Sequence, residues 1–199
     1  MKKMFTLIAI MLSVVCIANA QTKQQSKQAK KRAKELTKQG WEATGAAGLE
    51  AGVLKVIMAE GDEFQGEGSS DKSFNLAKAK ARNNMINEYA DYSKTIIKGR
   101  VTTEMSDVNE QEAETYIAAY ERLVVEELSG VFSAPLLTLK KQQGKHYDAR
   151  CYYVVKPESV RNAIKEALTK AEEQTEIVQG IGTKISSWID EGLNVSPQQ

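Results

Sequence analysis

The chain is poor in the side chains that carry most enzyme chemistry: its 199 residues include one histidine, two cysteines and three prolines. A serine or cysteine nucleophile would have only His146 as a base, and Asp148 could orient that imidazole only loosely. Next to Lys145, His146 reads instead as a surface residue. One histidine and so few thiols cannot furnish a zinc site of the usual nitrogen and sulfur type, and no D-x-D-x-D-G loop is present for calcium. The acid pairs Glu126-Glu127 and Glu172-Glu173 are neighbours on helical stretches, so they point apart and read as solvated faces. The expectation is a non-enzyme with no catalytic residues, no cofactor and no metal.

A charge excess of either sign is also missing. Lys and Arg number 27 against 26 Asp and Glu, which gives no global field for nucleic acid. No internal repeat is visible, and no apolar run after the first twenty residues is long enough to cross a bilayer.

That first run is informative. Lys2 and Lys3 precede an apolar stretch from Met4 to Ile17 and then Ala18-Asn19-Ala20, the layout of a secretory signal peptide over residues 1–20, cleaved between Ala20 and Gln21. Cys16 raises a lipoprotein reading, but a lipobox needs small residues before its cysteine and Val14 and Val15 stand there. Export without lipid is expected, to the periplasm or in association with the outer membrane. Only Cys151 then remains, so no internal disulfide forms and packing must supply the stability.

The remainder of the chain is strongly patterned. Residues 21–40 form a basic leader in which KQQSKQAKKRAKELTK holds seven Lys or Arg against one Glu, with Ala29, Ala33 and Leu36 its only apolar residues. It has little face to bury and reads as a solvated or frayed segment; peripheral contact with anionic lipid or another acidic surface is open to it but not favoured. A single α+β domain is expected over 41–173. Leu49, Val53, Leu54 and Ile57 predict a short helix weakened by Gly52, and Glu63 to Gly68 a short strand. Ser70 or Asp71 then caps a long helix with Phe74, Ala77, Ala81, Met85, Tyr89, Tyr92 and Ile96 in one stripe. RVTTEM, from Arg100 to Met105, has the β-branched content of a strand. A second long helix runs from about Glu110 to near Gly130.

VFSAPLLTLKKQ and HYDARCYYVV, joined at Gln143 to Lys145, predict a hairpin whose second arm turns Tyr147, Ala149, Cys151, Tyr153 and Val155 to the core. That alternation buries the Cys151 thiol. Pro157 opens a helix lined by Val160, Ile164 and Leu168. Residues 174–199 form a loose tail with a short amphipathic helix, in which Ile185, Trp188 and Ile189 offer a candidate interaction surface.

GEGSSD, from Gly66 to Asp71, invites comparison with a phosphate-binding loop. It lacks a third glycine, and Glu67 and Asp71 would repel a phosphate, so it reads as a structural corner between strand and helix.

KRAKELTKQGW, then GEGSS followed by SFNLAKAKARNNM, then a hairpin ending in YYVV and a final helix, together resemble secreted proteins of Gram-negative bacteria related to the LPP-twenty lipoproteins and to the N-terminal domain of the flagellar protein FlgT. The matching residues are Gly40, Trp41, Gly66, Gly68, Ser73, Ala77 and Ala81, within roughly Lys31 to Ala167. The resemblance implies an α+β domain with two or three long helices packed on one face of a small antiparallel sheet, exported to the cell envelope, with no known catalytic residues. Without a lipobox the chain departs from the lipoprotein members. The leading expectation is a non-enzymatic envelope protein that binds another envelope protein or itself. The alternative is a small-ligand binding protein or hydrolase with an unrecognised site between the sheet and the first helix.

Overall fold

The computed structural model describes residues 22–104 and 109–175, with only the backbone at 102–104. Those residues form an α+β fold of five helices and one four-stranded antiparallel sheet. The helices are α1 (22–38), α2 (Gly48–Met58), α3 (Phe74–Glu104), α4 (Glu110–Val131) and α5 (Pro157–Thr175). The strands are β1 (Glu42–Ala43), β2 (Asp62–Ser70), β3 (Leu137–Gln143) and β4 (His146–Val155), in the spatial order β1-β3-β4-β2.

The β3–β4 hairpin closes where the sequence places it, with Gln143 opposite His146 and Gly144 in the left-handed region at φ 60°. From this register the side chains of β4 alternate between two cores. Ala149, Cys151 and Tyr153 enter a core built with α3, α4 and α5. Tyr152 enters a second core with α1, α2, Trp41, Leu137 and Leu139.

The three long helices therefore share one face of the sheet, as expected. The leader does not stay in water: α1 docks Ala29, Ala33 and Leu36 on the opposite face. There the two alanines and the leucine share one core with Trp41, the strand residues Leu137, Leu139 and Tyr152, and Val53 and Val56 of α2. Its end was legible in the chain. Gly40 adopts φ 85°, its N–H bonds to Thr37 O, and the Trp41 N–H reaches back to Leu36 O at 3.0 Å. This is a Schellman stop in which Leu36 and Trp41 join the same core.

On the other face, α3 lies directly across β2. Ala77, Ala81 and Met85 meet the strand at Gly66 and Gly68, and a Cβ on Gly66 would stand 2.1 Å from the Ala81 carbonyl oxygen. The helix is capped by Ser73, whose Oγ accepts from the Leu76 N–H at 3.2 Å, and not by Ser70 or Asp71. Ser70 Oγ accepts from the Lys72 N–H in the preceding turn. Beyond Tyr89 the buried side of α3 rotates to Ala90, Ser93, Ile97 and Val101, because its partner changes from the sheet to α4. Tyr92 is accordingly exposed. The same packing overrides the β propensity of RVTT: Val101 is buried one turn after Ile97, and the residues through Glu104 are helical.

Helix α4 starts at an Asn109 cap that accepts from the Glu112 N–H, and it buries Tyr116, Tyr120, Leu123, Val124 and Leu128. Its C-terminal carbonyls at Ser129 and Phe132 accept from the Arg82 guanidinium of α3 at 2.6 and 2.9 Å. Phe132 stacks edge-on with Phe64 and Tyr153, joining α4 to the sheet. Helix α5 begins at Pro157 and buries Val160, Ile164 and Leu168. It packs along α4, with Lys170 paired to Glu127 at 2.6 Å.

Candidate functional site

Helix α1 stops at Gly40 before it reaches the far ends of β2 and β4, leaving the sheet face there uncovered. In that register Glu67 lies opposite Arg150 and Ser69 opposite Asp148 on β4, while Lys141 of β3 lies opposite Asp148 on the other side. Strand alternation turns all five side chains away from α3. They floor an open groove of about 830 Å³. Gln39 and Trp41 form one wall, and Lys80 and Asn84 of α3 reach over the β2 edge to form the other.

The floor is built around Arg150. Its guanidinium sits 4.6 Å over the Trp41 ring and donates to Glu67 Oε1 at 2.7 Å, a cation–π contact and an ion pair on one side chain. Nε of Arg150 is buried without a hydrogen-bond partner among the described residues. The same motif recurs beneath α1, where Arg32 lies 4.8 Å over Tyr152 and forks onto Glu63, which raises the guanidinium pKa still further. Asn84 Nδ2 donates to Glu67 O at 2.9 Å and covers one carbonyl of the edge strand. Among the described residues, Lys80 and Lys141 have no hydrogen-bond or ion-pair partner.

At the groove end, His146 spans two carboxylates, with Nδ1 2.6 Å from Asp71 and Nε2 3.2 Å from Asp148. It is a surface residue, as its sequence setting suggests. The Asp71 hydrogen bond, helped by the charge of Asp148, raises its pKa. Both ring nitrogens are engaged, so the imidazole is held as a clamp between the β4 start and the turn before α3.

Cys151 lies fully buried beneath α3, and burial raises its thiol pKa. Tyr153, also desolvated, is pushed up to about 12. Gly66 and Gly68 are no phosphate cradle: they lie within β2, paired with Cys151 and Ala149, and Ala81 and Ala77 fill the space a ligand would need. No group of three or more His, Cys, Asp or Glu able to hold a metal occurs among the described residues. Ala20 and Gln21, at the expected cleavage point, and Ile185, Trp188 and Ile189, the expected tail surface, lie outside the described residues.

The sequence pattern puts Arg150 between the core-facing Ala149 and Cys151, and Lys80 next to the stripe residue Ala81. It does not join them, because a groove formed across three strands and a helix has no local spacing. The available hint was the matched polar alternation of Glu67-Ser69 and Asp148-Arg150 beside a Gly-Trp helix stop.

No family model matches the chain, and neither does any curated protein or solved structure.

Proposed function

We propose that the protein is a non-enzymatic exported component of the cell envelope that acts as a protein-interaction or assembly module through the groove beside α1. The signal-like first twenty residues and the resemblance to secreted Gram-negative proteins support the location. One observation carries the role: an open polar groove whose floor sets Arg150 on Trp41 and whose lining carries two lysines, Lys141 on the floor and Lys80 on the wall, that have no ion-pair partner among the described residues. Arginine is among the side chains that most often anchor protein interfaces, and unpaired charges select partners through steering. The occupant would be another envelope protein or a second copy.

The test is a photocrosslinking side chain at Ser69, exposed on the groove floor. Discrete adducts in cells, weakened by Lys80→Glu with Lys141→Glu, are the expected result. Adducts at multiples of the chain's own mass identify self-assembly. Absence of adducts, or adducts indifferent to the charge reversal, would overturn the proposal.

A second reading is favoured by the same two lysines: a small anion held in the groove. Thermal-shift measurements with small carboxylates and phosphates distinguish it, because a specific ligand raises Tm by mass action and Lys141→Gln would abolish the rise. The hydrolase form of this reading gains nothing from His146, whose two nitrogens are already held by carboxylates.

A further inference from the structure

Docking converts the basic leader into an ordered charged surface. With Ala29, Ala33 and Leu36 turned to the sheet, Lys23, Lys27, Lys30, Lys31, Lys34 and Lys38 are all exposed. At 3.6 residues per turn these six fall within an arc of about 100°, on the side away from the buried residues, along roughly 22 Å of helix. None has an ion-pair partner among the described residues. Glu35 is the helix's single acid and lies at the flank of the stripe.

We propose that this face of α1 docks on an anionic lipid bilayer, held by its lysines without insertion of apolar side chains. The composition selects that occupant. Lysine is depleted at protein–protein interfaces, where arginine and aromatic residues dominate, yet this stripe holds only lysine. The one arginine of α1, Arg32, is turned inward onto Tyr152 and Glu63. A duplex is a cylinder that meets a straight stripe at few phosphates unless the helix enters a groove, where arginine and amide side chains do the reading. A flat sheet of anionic head groups meets all six lysines at once.

The rest of the chain sharpens the orientation. Residues 39–199 carry 18 Lys or Arg against 25 Asp or Glu, so the body beyond α1 is repelled by the surface that attracts the helix. This inference rests on α1 alone and does not depend on the groove.

Co-sedimentation of the full chain with zwitterionic vesicles and with vesicles containing one third anionic lipid tests it. Binding is expected only to the anionic vesicles and should be lost at high salt. Lys27→Gln with Lys30→Gln and Lys34→Gln should weaken it by roughly tenfold to a hundredfold. The corresponding three Lys→Arg changes should retain it, as should Lys72→Gln with Lys145→Gln and Lys156→Gln elsewhere on the surface. Equal binding to both vesicle types would assign the contact to the apolar stretch from Met4 to Ile17 and overturn the proposal. No binding, equal loss in the control triple, or tighter binding to duplex DNA than to vesicles would overturn it as well.

Discussion

A Cβ placed on Gly68 would stand 2.4 Å from the Ala81 nitrogen and 2.6 Å from the Ala77 oxygen, backbone atoms that cannot turn aside as a side chain could. Gly68→Ala must therefore push α3 off β2. The expected loss is at or above the upper end of the ~1–3 kcal/mol typical of overpacked cores, read by denaturant unfolding. The mirrored change Ala81→Gly should cost about 1 kcal/mol through helix propensity alone. Cys151, in the same layer, is fully buried with its thiol pKa raised, so a thiol reagent should label it only at the rate of global or local opening. Labelling at the speed of a free thiol would show that strand β4 is accessible. His146 supplies a pH dependence whose sign follows from its two carboxylate partners. Its native pKa lies above the ordinary 6.5, so the stabilisation is fully present below about that pH and is lost as pH rises through the native value. The Tm difference between wild type and His146→Gln should be larger in mildly acidic than in mildly alkaline buffer. An unchanged difference would mean that the clamp to Asp71 and Asp148 does not persist in solution.

At the scale of elements, α1 separates two physical pictures. A solvated leader would be cut by trypsin at once after Lys27, Lys30, Lys31 or Lys34, whereas a helix docked through Ala29, Ala33 and Leu36 must first open. Slow cleavage is expected, and Ala33→Glu, which sets a carboxylate against the buried sheet face, should accelerate it while lowering stability by about 1–3 kcal/mol. Rapid cleavage of the wild type would refute the docked helix and, with it, the lysine stripe. Helix α3 behaves in a related way. Its first half follows the stripe of Ala77, Ala81 and Met85, and its second half turns a different side inward because α4 replaces the sheet as its neighbour. Periodicity alone reports that a face is apolar but not which partner covers it, and for that reason Tyr92 is exposed although it lies on the expected stripe.

For the whole molecule, export is the proposal most directly checked. Intact mass of the protein from its own cells should match a chain beginning at Gln21 without acyl groups, since Ala18-Asn19-Ala20 suits cleavage and Val14-Val15 does not suit a lipobox at Cys16. A mass retaining Cys16 with lipid would refute it. Local patterning sufficed for the α+β class, the β3–β4 hairpin, the inward set of Ala149, Cys151 and Tyr153, the span of α4 and the start of α5 at Pro157. Each of these is a periodicity or a turn written within a few residues and read with a single partner surface. Long-range packing was needed to give the sheet two cores, to lay α1 over the second, to flatten Gly66 and Gly68 beneath Ala81 within a continuous strand, and to bring Arg150, Trp41, Lys80 and Lys141 to one groove. Those outcomes depend on contacts between segments far apart in the chain. Two alanines and a leucine look insufficient as a buried face until an aromatic sheet surface is brought against them.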